Sequence, residues 1–379
     1  MIWIKRIVLP VLTLVVALAS LAVTIVLGAS LALLGGDANS YSKAEPVDVA
    51  IMERYNMYIT NQISNALEGV LEVEKVYWLS DDDLVAPKPD QTKYGITDDP
   101  ASLGWLLTDA QEILDGQETL FSLDIQIAPN SQVRYYLDDT ILAITWKQVV
   151  GDTMYTVSEV KIAHPSQFRR FLAGGEYGSH IQLTTSDMAT SVNAVVASSG
   201  DFYGFRRMGV IVYDGVVRRC DSEEVDTCYI DDKGEMIFSY RGELQTVESA
   251  QAFVDENNIR FSVAFGPVLI VDGEPCDIGT YRLGEVRDRY ARAALGQLGQ
   301  LHYLMVAANG EYPYATTAAT IFDLQDQMMT YGCQKAYTLD GGQTAVIVHN
   351  NEVINRVAFG YQRNVSDIIY FATAMPEWD

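Results

Sequence analysis

The sequence predicts an α+β fold: a mixed β-sheet domain with packed helices, preceded by an N-terminal transmembrane helix and a helical membrane-proximal segment. Three observations carry that prediction. Residues 7–34 hold no charged side chain. Short runs rich in Val, Ile, Tyr and Thr begin near Val133, the texture of strands. Apolar residues at helical spacing lie before and between those runs, over Leu103 to Leu114, Val247 to Asn257 and Thr317 to Tyr331.

Residues 1–6 read as a cytoplasmic tail and 7–34 as a transmembrane signal anchor, since an apolar helix of about 20 residues spans the hydrocarbon core. Lys5 and Arg6 precede the span and no basic residue follows until Lys43, so the positive-inside bias places the N-terminus in the cytosol and the main domain outside the cell membrane. A cleaved signal peptide is the competing reading. The small residues Ala29, Ala32, Gly35 and Gly36 suit a cleavage site, but such peptides carry a shorter apolar core of about 7–15 residues.

Residues 35–130 form the expected membrane-proximal helical region and linker. Ile51, Tyr55, Ile59, Ile63, Leu67 and Leu71 recur every four positions and predict a helix. A strand-like Val73 to Leu79 follows, then Asp81-Asp82-Asp83 and Ala86-Pro87-Lys88-Pro89, which mark an extended loop. Asp99-Pro100 opens a second helix that runs to Gly116, with Pro at the first helical position. Residues 131–379 are the sheet-based domain.

Composition narrows the partners. The chain has 379 residues and 49% apolar content, enough for a sizeable core. Its 26 Lys+Arg against 50 Asp+Glu give net −24, which repels nucleic acid and anionic lipid surfaces. In an exported chain, Cys220 and Cys228 can bridge locally across an acidic turn, while Cys276 and Cys333 can pair or remain thiols. The four histidines, His164, His180, His302 and His349, are scattered without zinc spacing.

Two strand ends carry candidate chemistry. The helix stop Gly332, the short strand Lys335 to Leu339 and the turn Asp340-Gly341-Gly342 place a carboxylate at a tight corner where a ligand can approach the main chain. Ser199-Gly200-Asp201-Phe202-Tyr203-Gly204 repeats the pattern after the apolar run Ala194 to Ala197. Asp201 and Asp340 together make two carboxylates, the number used in the common glycosidase mechanisms. Tyr203 and Tyr177 can offer flat faces to a sugar. Asp187, after Thr185-Ser186, reads as a helix-cap residue, and Asp367 as an anchor of the last strand.

These residues sit within a longer ordered set. Phe171 to Gly178, Thr185 to Ala189, Asn193-Ala194, Gly200 to Phe205, Phe265-Gly266-Pro267 with Asp272-Gly273, Arg292 to Gln297, Gly332-Cys333, Leu339 to Gly342 and Arg363 to Tyr370 resemble the phosphodiester glycosidase family, in its membrane-anchored bacterial branch. The resemblance implies hydrolysis of the sugar–phosphate linkage of a glycosyl 1-phosphodiester, in envelope or exopolysaccharide metabolism. The partner is then a sugar phosphodiester or envelope glycan. The chain departs from the family pattern twice: Ser199 stands where Asn is usual, and Gln343-Thr344-Ala345 where a third glycine and two serines are usual. Those departures motivate the alternative of a non-catalytic glycan-binding or envelope-assembly protein on the same fold.

The expected catalytic set is Asp201, Asp340 and Arg292. Arg292 holds the phosphate through its fork of donors, and one of the two aspartates acts as base or nucleophile. Ser199, Gly200, Tyr203, Gly341, Gly342 and Thr344 are the expected substrate-binding residues. A calcium or magnesium ion between Asp201, Asp340 and backbone carbonyls is a further option, without a dedicated ligand spacing to mark it.

Overall fold

The computed structural model describes residues 78–80, 84–121, 126–281 and 284–376. The apolar span 7–34, the row from Ile51 to Leu71, most of the strand-like Val73 to Leu79 and the aspartates 81–83 lie outside the described residues. Among the described residues no helix is long and apolar enough to cross a membrane.

Val76–Asp379 forms one compact unit, rich in sheet and poor in helix. Strands are numbered in chain order. Nine of them make the largest sheet, in the spatial order β1 (Tyr94–Thr97), β2 (Val133–Leu137), β3 (Ile141–Val150), β4 (Thr153–Ile162), β15 (His302–Asn309), β14 (Arg292–Gly299), β16 (Lys335–Leu339), β12 (Val268–Val271) and β13 (Glu274–Pro275). A five-stranded sheet runs β18 (Glu352–Val353), β17 (Ile347–His349), β6 (Val196–Ser199), β19 (Asp367–Phe371), β5 (Phe168–Leu172). A three-stranded sheet of β10 (Met236–Ser239), β9 (Thr227–Asp231) and β11 (Ile259–Val263) and the hairpin of β7 (Gly209–Tyr213) and β8 (Val216–Asp221) complete the set.

The α+β class holds, but the sheets differ from the mixed one expected. The paired strands of all four sheets run antiparallel. Runs of β-branched residues reveal strands without revealing direction, and here tight hairpins such as β3–β4 and β14–β15 impose the antiparallel sense.

Side-chain alternation sorts the core into layers. Leu142, Ile144 and Trp146 of β3 face α1 (Gly104–Asp109), α2 (Gln111–Leu114) and α5 (Ile321–Thr330), with Leu106, Ile113, Leu324 and Met328 packed against them. Ile141 and Ala143 point the other way, into a core shared with Phe168, Val196, Ile369 and Phe371 of the five-stranded sheet and Ile230 and Val263 of the three-stranded one. Beyond those sheets lie α3 (Thr185–Ser191), through Met188 and Val192, and α4 (Val247–Glu256), through Ala250 and Val254. The order is therefore helix, sheet, sheet, helix.

The helix read from Asp99-Pro100 is present as a 3-10 turn followed by α1 and α2. Asp99 accepts a hydrogen bond from Ala101 N at 3.1 Å, and the chain leaves the helix at Asp115 with φ 50°. Its apolar face closes the main core, and β1 pairs with β2. The expected boundary at 130/131 thus falls inside the compact unit. The local Cys220–Cys228 bridge is also corrected: all four cysteines are free, because Cys220 lies opposite Val210 in the β7–β8 hairpin while Cys228 belongs to the separate β9–β11 sheet.

Candidate active site

Asp340 leaves the end of β16, whose Leu339 pairs with Ala293 on β14. The turn that follows is held to the neighbouring strand, since Gly342 N donates to Ala291 O at 2.7 Å and a Cβ on Gly341 would come within 2.6 Å of that same oxygen. Gly342 adopts φ +67°, a region where a side chain is strained. The close approach expected of a ligand at Gly341 is thus made by Ala291. Thr344 Oγ1 closes the turn by donating to Gly341 O at 2.6 Å.

The second acidic turn meets this one. Ser199, the last residue of β6, donates from its hydroxyl to Thr344 O. Ser199 therefore joins the two predicted corners.

Asp201 does different work from the role expected of it. It is fully buried, and both its oxygens are taken: Oδ1 accepts from Arg170 Nη2 at 2.8 Å and Tyr203 N at 2.9 Å, and Oδ2 from Ala264 N at 2.6 Å. Arg170 also donates through Nε to Asp367 Oδ2 at 3.1 Å and through Nη1 to Ser262 O. Asp367 in turn accepts from Asp201 N at 3.3 Å and Phe202 N at 3.0 Å. Burial pushes Asp201 up to about 7 against the pull of Arg170. The N–H donors on both oxygens favour the charged form that burial opposes and tie the carboxyl into the fold. Gly200 belongs to this lock as well, because a Cβ there would overlap Asp367 Oδ2.

Asp340 has a different environment, with Gly341 N donating to its Oδ1 at 3.1 Å. It is 7% exposed. Burial pushes its pKa up to about 6, against the opposing pull of the Arg206 guanidinium, the Thr344 hydroxyl, the Gly341 N–H and the Arg363 guanidinium. Each arginine is braced by aromatic rings. Arg206 lies 4.3 Å from the Phe265 ring centre, and Arg363 lies 5.3 and 5.2 Å from those of Phe202 and Phe205, separations at which a cation is attracted to the ring face. Arg219 holds the loop that carries Phe205 and Arg206, donating at 2.9 Å to the carbonyls of Tyr203, Arg206 and Met208.

Arg292 begins β14, one position from Ala293, but its guanidinium donates to Asp288 O at 2.7 Å and Ala319 O at 3.4 Å and lies over the Tyr290 ring. The cations that act on Asp340 are Arg206 and Arg363. Tyr203 is buried, stacked on Tyr177 with ring centres 5.0 Å apart. Asp187 sits inside the first turn of α3, and the cap is Thr184, which accepts from Asp187 N at 3.1 Å. His302 and His349 are buried, and His302 Nε2 lies 2.8 Å from Glu159 Oε1. Among the described residues no three His, Cys, Asp or Glu side chains cluster as metal ligands would. With both oxygens of Asp201 occupied by N–H groups, the residues do not fit the cation considered between Asp201 and Asp340.

Fold and site thus define a sheet-rich domain with a buried carboxyl at the turn after β16, on which the charges of two ring-braced guanidinium groups act. Residues 192–372 match the family model of the phosphodiester glycosidases, so the motifs from Asn193 onward fall in the matched stretch and Phe171 to Gly178 falls before it. The chain is 23% identical over 198 residues to the SPbeta prophage-derived uncharacterized protein YomE of Bacillus subtilis, covering 51% of this chain and 30% of that protein. It spans less than a third of that relative's length. Among solved structures, a hypothetical protein from Synechocystis aligns with TM-score 0.49 at 14% identity, over 65% of this chain and 64% of that one. The catalytic domain of zebrafish N-acetylglucosamine-1-phosphodiester alpha-N-acetylglucosaminidase, auto-inhibited by its pro-peptide, aligns with TM-score 0.48 at 17% identity, over 66% of this chain and 85% of that one.

Arg206 and Arg363 were absent from the expected set. Arg363 stands in one of the resembling motifs, and Arg206 follows the aromatic pair Phe202 and Phe205. An arginine trailing aromatic residues at a strand-end turn is the signal that could have found it.

Proposed function

We propose that the chain hydrolyses glycosyl 1-phosphodiesters, with Arg206 and Arg363 holding the phosphate and Asp340 acting as base. The observation that carries this reading is the buried Asp340 carboxyl, on which the charges of Arg206 and Arg363 act, inside the stretch that matches the family model. Water attacks the anomeric carbon and loses its proton to Asp340, while the C1–O bond breaks and the phosphate monoester departs with the bonding electrons. That leaving group is weakly basic, so a second carboxyl is not required to protonate it. The guanidinium pair stabilises the charge that develops on it. The substrate is an envelope or exopolysaccharide glycan, and the apolar span 7–34 anchors the domain to the membrane on its outer side.

The test is incubation of the purified chain with UDP-N-acetylglucosamine and with a synthetic sugar phosphodiester. Free sugar is expected, with Asp340→Asn slowing release by about 10²–10⁴ and Arg206→Gln mainly raising KM. Absence of release from either compound sinks the reading. The locking of Asp201 favours one alternative, a binding protein that lost one of two carboxyls. Its signature is saturable binding of the phosphodiester with no release.

A further inference from the structure

We propose that the cavity between β5, β11 and the β7–β8 turn is a second binding site, separate from Asp340, for a small organic acid: one carboxylate on a ring-sized apolar body. Neither Asp340, Arg206 nor Arg363 lines it, so the inference does not rest on the hydrolase reading. Its volume is about 540 Å³, within the range of about 300–1,000 Å³ that small-molecule sites occupy.

Local turn and strand geometry brings the lining together. β5 is the edge strand of its sheet and sets Arg169 opposite Tyr370 of β19. Asp214-Gly215 joins β7 to β8 with φ 52° and 69°, the tight hairpin turn that suits Asp followed by Gly. Gly215 N donates to Arg260 O at 3.0 Å, which fixes that turn against β11.

The cations are built in. Arg169 and Arg260 line the cavity. Arg169 Nε donates to Tyr370 Oη at 3.1 Å and its Nη1 to Ser80 O at 3.1 Å, and Arg260 Nη1 donates to Pro165 O at 2.9 Å and Phe168 O at 3.2 Å. Both charges act on the Tyr370 phenol, against the burial that pushes its pKa up. A third lining arginine, Arg170, is paired with Asp201 and Asp367. Set against Asp214, the carboxylate of the lining, Arg169 and Arg260 leave one positive charge in a chain of net −24.

The remaining lining supplies a donor and apolar walls. Tyr213 is 8% exposed, and its hydroxyl makes no hydrogen bond among the described residues, although buried polar groups are ordinarily paired. Burial pushes this phenol up to about 12, so it keeps its proton and can donate. Phe171, Ile259 and Phe261 are the apolar walls, the last two buried. A carboxylate matches a single positive charge and the planar donor fork of arginine, and the Tyr213 hydroxyl gives it a neutral donor. The apolar walls then cover a ring.

The experiment is calorimetric titration of the full chain with 2-naphthoate and with its uncharged analogue 2-naphthamide. The acid is expected to bind one saturable site about tenfold or more tighter than the amide, as charged hydrogen bonds require. Arg260→Gln should weaken the acid about tenfold, while Arg206→Gln, at the Asp340 site, leaves it within about twofold. Asp214→Asn should tighten it about threefold by removing a like charge; Asp214 is exposed and Asn suits the same turn, so this variant keeps the fold. Absence of binding, equal affinity for acid and amide, or loss of binding in R206Q but not in R260Q overturns the site. If a urea melt shows R260Q to be unfolded, D214N decides: tighter binding supports the site, and unchanged or weaker binding overturns it.

Discussion

Burial raises Asp340 to about 6 although two arginines, a hydroxyl and a backbone N–H oppose the shift, so the same desolvation that tunes a base also strains the fold. The folded state holds a proton on this group up to about 6 while the unfolded chain releases it near 3.8. Stability therefore falls as pH rises through that window, the reverse of the usual paired aspartate. Asp340→Asn is expected to raise unfolding stability at pH 7 by on the order of 1–3 kcal/mol while removing the rise of turnover through pH 6. Urea melts and a pH–rate profile check both, and a profile unchanged by the substitution rules Asp340 out as the base. Burial raises Asp201 in the same direction, but its oxygens accept from the Arg170 guanidinium and two backbone N–H groups. Asp201→Asn removes the charge that pairs with Arg170 and one of the two acceptor oxygens, for an expected loss of about 3–5 kcal/mol, visible as a lower urea midpoint.

At the scale of elements, period and punctuation made much of the chain legible. α4, α5 and the β16 strand lie where their apolar spacing, caps and glycine stop put them, with Thr320 accepting from Asp323 N at 3.0 Å at the start of α5. β5 was harder to read. It lies at the edge of its sheet, and Arg170 is buried there because Asp201 and Asp367 reach it from 31 and 197 positions away. The loop from Tyr203 to Met208 is likewise shaped by a distant residue, Arg219 on β8. Arg219→Gln should loosen that loop and withdraw Arg206, raising KM for a sugar phosphodiester about tenfold, a loss of about 1.4 kcal/mol, with a smaller change in kcat. Loss of kcat at unchanged KM would show instead that Arg219 serves the reacting step.

Over the whole molecule, the stretch before Val133 is part of the folded unit. β1 extends the largest sheet and α1 and α2 cover its core, and the buried Glu159 carboxylate accepts from Leu120 N at 2.7 Å and Phe121 N at 2.8 Å. A fragment starting at Val133 exposes that face and strands Glu159 without its donors. It is expected to aggregate or melt far below a fragment starting at Val76, by circular dichroism. Equal melting would mean that the segment is dispensable. The amino-acid order by itself determined the sheet-rich class, the helices with strong periodicity and the corner that carries Asp340, because spacing, caps and turn glycines act over a few residues. Only the tertiary structure decided that Asp201 is a strut, that Arg206 and Arg363 rather than Arg292 act on Asp340, and where the unit begins. Those outcomes depend on ion pairs, ring contacts and strand pairings between residues far apart in the chain, whose energies local pattern does not contain.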